Sequence, residues 1–403
     1  MLIPPSRAYS RYSLTCCVTG FSGSGNQITK YCRNMKKSLF ANCFTCLTLG
    51  LGLLTGSAKA EDGGALYTMD NAAAGNHVLA FQRNEHGGLV NAGSVATSGT
   101  GTGTAAGLPS QGSVLLSRDG RWLFVCNAGS SEISVLSLSR GGLTLTDKVA
   151  SGGRMPVSLA LRHNLLYALN AGGLAGDKDN ITAFIFANGR LVPLPDSARS
   201  LSGDNTGPAE VSFSREGDAL IVTERLTSLI DTFSVGEDGL ATDVKSFQSV
   251  GATPFGFDVG RQNLLFVSEA PGSTASSYEI SEDGDLSVIS GSVPTHQAAA
   301  CWLLTARNGR FIYTANAGSG TISGFRVGND GSLHLLDPSG VTGSTGSGSH
   351  PTDMVQSQDG RFLYSLNNGN GTISAFAVRP NGSLDSLMTV NGLPTSAAGL
   401  AGR

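Results

Sequence analysis

FIYTANAGSGTISGFRVGNDGSL, Phe311 to Leu333, reads as strand, turn, strand, turn and the start of a third strand. The apolar and aromatic run from Phe311 to Ala315 stops at Asn316, and Gly318 to Gly320 supply residues tolerant of positive φ. Ile322, Gly324, Phe325 and Val327 restart the apolar pattern, which Asn329-Asp330-Gly331 closes as a hairpin turn. Upstream, Ala300 to Arg307 is another short apolar run, ended by Asn308-Gly309. About four short strands therefore fall within roughly 50 residues.

The same phrase recurs along the chain. Aligned on Asn316, the strand before it is LYTMD ending at Asp70, LFVCN at Asn127, LYALN at Asn170, LIVTE at Glu224, LFVSE at Glu269, IYTAN at Asn316 and LYSLN at Asn367. The spacings of 57, 43, 54, 45, 47 and 51 residues are those of propeller blades. A further strand, opening near a Pro, precedes six of the seven anchors: Pro156, Pro208, Pro254 and Pro351 mark it, with Gln111 and Ala300 at the same offset. The first anchor lacks one, but LPTSAAGLAGR (Leu393 to Arg403) matches HPTDMVQSQDG from His350. The C-terminus is thus expected to supply the inner strand of the first unit, closing the ring and leaving no long sheet edge exposed. The expected fold is all-β, a seven-bladed β-propeller. The Gly/Thr/Ser runs Ser98 to Gly107 and Gly340 to Ser349 are expected to be flexible surface connections between blades.

Charge divides the 403 residues. Residues 1–60 hold seven Lys or Arg and no Asp or Glu, which leaves 20 basic against 30 acidic residues in the remainder. A basic, acid-free leader is a targeting segment. Met35-Lys36-Lys37, the apolar stretch Leu39 to Leu54 and Ala58-Lys59-Ala60 read as a secretory signal peptide over 35–60, with a mature domain over 61–403. Residues 1–34 form an upstream extension, read as an over-long start with Met35 the true first residue, or else as a retained anchor. The apolar stretch is too short and interrupted to span a membrane, so a periplasmic or secreted protein is expected, without membrane insertion after cleavage. Five of seven Cys lie in the leader, and Cys126 and Cys301 are expected to be buried free thiols. An acidic domain poor in Lys and Arg excludes nucleic acid as a partner. A monomer without cofactor or bound metal is expected.

Ligands of propellers usually sit at a mouth of the central channel. Alternation along the inner strands suggests that the second residue after each Pro position (Ser113, Ser158, Glu210, Gly256, Trp302, Asp353) faces that channel. An Asn at a strand-to-turn junction ordinarily bonds its own loop, whereas Glu224 and Glu269 replace that Asn with carboxylates. In the fourth unit Glu210, Glu224 and Arg225 are expected to converge, two carboxylates beside a guanidinium. Hydrolysis of an ester or lactone needs a base for water and a donor near the carbonyl oxygen. The candidate catalytic residues are Glu224, Glu210, Arg225 and His296; the candidate substrate-binding residues are Glu269, Trp302, Gln297, His350 and Asp353. A solvated ion pair is the plain alternative for the first trio, and a satisfied structural role for the lone histidines. No Gly-x-Ser-x-Gly, His-Glu-x-x-His, phosphate-loop or Cys/His zinc pattern occurs after residue 60.

With these repeats in place, the chain resembles the propeller lactonase family, which includes bacterial 6-phosphogluconolactonase and fungal carboxymuconate cyclase. The resemblance spans nearly all of Ala65 to Arg403. It is carried by DGRFLYSLNNGNGTISAFAV (Asp359 to Val378), NGRFIYTANAGSGTISGFRV (Asn308 to Val327), GPAEVSFSREGDALIVTERLTSLIDTF from Gly207 and GATPFGFDV from Gly251. It implies a lactonase. The family's fourth-blade signature is Gly-Pro-Arg-His followed by Asn-Glu-Leu. Here Gly207-Pro208 are kept, Ala209 and Glu210 stand where the Arg and His belong, and Thr223-Glu224-Arg225 carries over only Glu224. That departure implies an unphosphorylated lactone as substrate. The second reading is a non-catalytic propeller that binds a protein, peptide or glycan of the cell envelope, since one fold hosts many functions.

Overall fold

The computed structural model describes residues 63–105, 107–172 and 178–403. The upstream extension 1–34, the leader 35–60 and its cleavage after Ala60 lie outside the described residues. No helix among the described residues is long and apolar enough to cross a membrane.

The described residues form seven antiparallel sheets, each with its four main strands in radial order. The second strand of a blade is covered on both faces by neighbouring blades and so reads as a continuous apolar run. Ala219–Glu224, Leu264–Glu269, Phe311–Asn316 and Phe362–Asn367 are buried at every position. Outer strands have one wet face, and Gly142–Ala150 alternates between half-buried and exposed along its whole length. The core is accordingly a series of clusters between blades. Tyr167, Val211, Phe213, Leu220, Val222 and Phe233, for example, fill the space between the third and fourth. A repeated tyrosine also joins blades. The hydroxyls of Tyr167, Tyr313 and Tyr364 donate to the carbonyls of Gly239, Gly382 and Gly87 in the outer turn of the next blade, at 2.7–2.9 Å.

The ring closes as the repeats require. Ala398–Gly402 pairs with Ala65–Met69 and is the inner strand of the first blade. Its register differs from the sequence match by two residues at Met69, which pairs with Ala398 as Leu366 pairs with Asp353, and by three at Tyr67, which pairs with Ala401 as Tyr364 pairs with Val355, because a bulge lies between them.

The connections are tied down, contrary to expectation. In the first low-complexity run the amides of Gly101 and Gly103 donate to the carbonyls of Ala72 and Asn71, and Gly129 donates to Thr100. In the second, Gly343–Ser344 adds a short strand to the sixth blade. Cys126 is buried as expected; Cys301 is half-buried, and both are free thiols.

The inner strands face the axis with their backbone edge, not with side chains. Their side chains point to the two neighbouring blades, so alternation selects a neighbour and does not reach the channel. A bulge at the start of these strands, as between Pro208 and Glu210 or Pro351 and Asp353, resets the alternation as well. The edge N–H groups need acceptors, and the adjacent blade provides them. Ser158 Oγ accepts from Val211 N at 3.1 Å, Glu210 Oε2 from Phe257 N at 2.7 Å, Asp258 Oδ2 from Thr305 N at 2.7 Å and Asp353 Oδ2 from Leu400 N at 3.0 Å. Of the positions expected to line the channel, Ser158, Glu210 and Asp353 thus fasten the ring together.

In the fifth blade that position is Gly256, and Leu303 N in the sixth blade takes Gln111 Oε1 instead, at 3.0 Å. A Cβ on Gly256 would stand 2.3 Å from that oxygen and 2.8 Å from Cys301 O. Gly256→Ala is therefore expected to cost about 1–3 kcal/mol by forcing the two apart. Urea unfolding checks this; an unchanged midpoint would mean that the Gln111 contact is not fixed.

Candidate functional site

Each inner strand starts on the face where the second strands end, so the anchor residues and the interblade connections share one face. There the channel is plugged. Ser110 and Gln111, leading into the second blade's inner strand Val114–Leu116, reach across to several other blades. Gln111 N donates to Ala209 O. Gln111 Nε2 donates to Leu303 O at 2.7 Å and Glu210 Oε1 at 3.2 Å. Ser110 Oγ donates to Val157 O, and Ser110 O accepts from Trp302 Nε1 at 3.0 Å. Trp302 is buried against Phe255, with centroids 4.7 Å apart. Trp302 is thus part of the plug and its seal.

The anchor ring is a set of hairpin fastenings with one rule. The anchor bonds the residue seven positions later, across its hairpin. Asn127 Nδ2 donates to Ser134 Oγ at 2.8 Å, Asn316 Nδ2 to Ser323 Oγ at 2.8 Å and Asn367 Nδ2 to Ser374 Oγ at 2.9 Å. Asp70 pairs with His77 at 2.9 Å. The third blade has a longer hairpin, and Asn170 reaches Thr182. Glu269 accepts from Ser276, Thr274, Ser292 and Gly251 N. Glu224 is fully buried and accepts from Ser202 N and Oγ and from Thr227 Oγ1, with Asp231 as its partner seven residues on. Burial, and then the Glu224 carboxyl beside it, push the Asp231 carboxyl well above its usual range.

The structure does not bring Glu210, Glu224 and Arg225 into contact. Glu224 turns into the space between the third and fourth blades. Glu210 lies beneath the plug, held by Phe257 N and Gln111, and burial raises its pKa well above the ordinary carboxyl value. Asp353 is raised to about 8 by burial. Arg225 turns towards the channel mouth. Its Nε donates to Gly207 O at 3.0 Å and its guanidinium lies over the Phe255 ring at 5.7 Å. No carboxylate pairs with it among the described residues, and burial lowers its pKa. Cys301 is near enough for the two charges to interact, but burial pushes its thiol up to about 12. The thiol is therefore protonated at neutral pH and not a nucleophile.

His296 and Gln297 belong to the connection into the sixth blade. His296 is exposed, with a left-handed backbone (φ 57), while Gln297 is anchored by Ser339 O and Thr321 Oγ1. His350 is also exposed and left-handed (φ 46), in the place before the inner strand where Met155, Gly207, Thr253 and Ala299 share that conformation. The two histidines share the anchor face with Arg225. Sequence reasoning missed Gln111, Phe255 and Asp231. The spacing of seven from anchor to partner was available in the sequence for Asp231; Gln111 and Phe255 carry no local signal. No group of three or more His, Cys, Asp or Glu is placed to hold a metal ion among the described residues.

Comparison with known proteins follows this architecture. The family model described as Lactonase, 7-bladed beta-propeller matches residues 58–191, 178–297 and 261–354. Among solved structures, a putative 6-phosphogluconolactonase from Bacteroides fragilis superposes with a TM-score of 0.68 at 17% identity, covering 85% of this chain and 98% of that one. One from Bacteroides uniformis gives 0.67 at 18% identity, covering 84% and 99%. The periplasmic gluconolactonase of Pseudomonas aeruginosa gives 0.64 at 16%, covering 84% and 99%. No curated protein matches. The likeness to the solved structures, at such identities, is one of fold. With three overlapping matches that run from residue 58 to residue 354, the chain belongs to the seven-bladed β-propeller lactonase family.

Proposed function

We propose that this protein opens the ring of an unphosphorylated lactone at the anchor-face mouth of its channel, with Arg225 as the donor to the carbonyl oxygen. One observation carries the reading within the family: a half-buried guanidinium at the mouth, stacked on Phe255, with no carboxylate to neutralise it. Such a group is preorganised for an oxygen that gains negative charge in the transition state. Glu210 lies beneath the plug with its oxygens engaged by Phe257 N and Gln111 Nε2, so the reading rests on Arg225 and not on that carboxyl. Support for an unphosphorylated ring comes from Ala209 and Glu210, which stand where the family's basic pair would meet a phosphate. The exposed His296 and His350 are the proposed contacts for the rest of the substrate. The leader read over residues 35–60 supports a place outside the cytoplasm.

The test is hydrolysis of a panel of phosphorylated and unphosphorylated lactones, followed by pH-stat. Arg225→Ala is expected to lower kcat/KM by about 100-fold or more. Glu224→Gln should retain turnover while lowering the melting temperature, because Glu224 is a fastening between blades. Turnover that survives Arg225→Ala would remove the proposed site. No turnover of any lactone would favour the envelope-binding platform.

A further inference from the structure

The mouth on the opposite face has a different chemistry. It is ringed by the turns that follow the inner strands, and it opens into a cavity of about 740 Å³. Ser110 and Gln111 cross the channel at the anchor end, so this mouth is a blind cup separate from the site proposed above. Three arginines line it, Arg118, Arg215 and Arg307, from the turns of the second, fourth and sixth blades. All three are exposed. No hydrogen bond or ion pair engages their guanidinium groups among the described residues; only the half-buried Asp258 interacts electrostatically with Arg307. Glu216 is the one carboxylate in the lining, and Gln358 adds a neutral polar group.

The nearby acids are already matched. Asp119 pairs with Arg121 at 2.7 Å and Asp359 with Arg361 at 2.9 Å. Three unpaired guanidiniums against one carboxylate thus meet at the axis of a domain whose composition is acidic. A surface built only for solubility would intersperse charges of both signs. Converging guanidinium forks match carboxylate and phosphate oxygens bidentately, and a cup of this volume suits a small molecule.

We propose that this cup is a binding site for a small multivalent anion, one that carries two or more carboxylate or phosphate groups. The arginines reach it from alternate blades, so a ligand with charges spread around a centre engages them together. The inference is independent of the lactonase reading, since the plug separates the two mouths.

Isothermal titration of the purified protein with citrate, and separately with pyrophosphate, at low ionic strength tests it. One-site binding of at least one probe is expected, weakening as salt is added. Arg118→Gln or Arg215→Gln should each weaken that affinity about tenfold, the loss of one charge-assisted contact. Glu216→Gln should tighten it, a change that a merely structural role would not produce. Arg379→Gln, which breaks an exposed pair with Asp385 elsewhere on the surface, should leave it unchanged. The proposal is overturned if neither probe binds, if affinity survives replacement of all three arginines, or if Arg379→Gln weakens binding equally.

Discussion

Trp302→Ala is expected to destabilise the protein by about 3–5 kcal/mol, the cost of removing a large buried ring from a site that cannot collapse. Trp302 packs on Phe255, and its indole N–H donates to the Ser110 carbonyl. Its removal therefore empties space between the fifth and sixth blades and releases the segment that plugs the channel. Trp302→Phe should keep most of the packing and lose chiefly the hydrogen bond, at about 1 kcal/mol. Urea unfolding followed by the fluorescence of Trp122, the other tryptophan, separates the two. A loss below about 1 kcal/mol for Trp302→Ala would contradict a fixed plug.

Stability is expected to fall as pH rises from about 4 to about 8, because buried carboxyls hold protons that the unfolded chain releases. An unfolded Asp titrates near 4, whereas burial raises Asp353 to about 8 in the folded chain. Between those values the folded state binds more protons, so stability is greatest at the acid end and is lost up to the folded pKa. One such group contributes about 1.4 kcal/mol per pH unit across its window. Asp231 and Glu210 are shifted in the same direction, both by burial first. Asp359 has the opposite sign: its hydrogen bonds to Ser357 and Arg361 outweigh burial and lower it to about 2, so its contribution is lost only below the ordinary carboxyl range. The melting temperature should be higher at pH 5 than at pH 8. Asp231→Asn, which keeps an acceptor for Ser202 N and offers Glu224 an amide donor, should flatten the slope. A melting temperature that rises over this range would refute the assignment.

Much of the fold was legible because it is written in repeated local chemistry. The apolar second strands, their polar anchors and the Gly turns gave seven blades and the terminal closure. The offset of the closing strand, two residues at Met69 and three at Tyr67, was not legible, since the bulge between them is fixed by strand pairing and not by local residue preference. The anchor carboxylates looked like exceptions to a turn rule. In the fold Glu224 and Glu269 fulfil the same role as the asparagines, with a longer reach to hydroxyls on the adjacent strand and connection.

By itself the sequence determined the all-β class, the blade count, the ring closure and the family, because periodic burial and turn chemistry act over a few residues at a time. Only the tertiary structure decided which side chains meet at the axis. Gln111 reaches Leu303 across 192 positions of sequence, and Arg118, Arg215 and Arg307 share a cup although nearly a hundred residues separate each from the next. Those meetings depend on where the closed ring places each turn, and no local pattern encodes that distance.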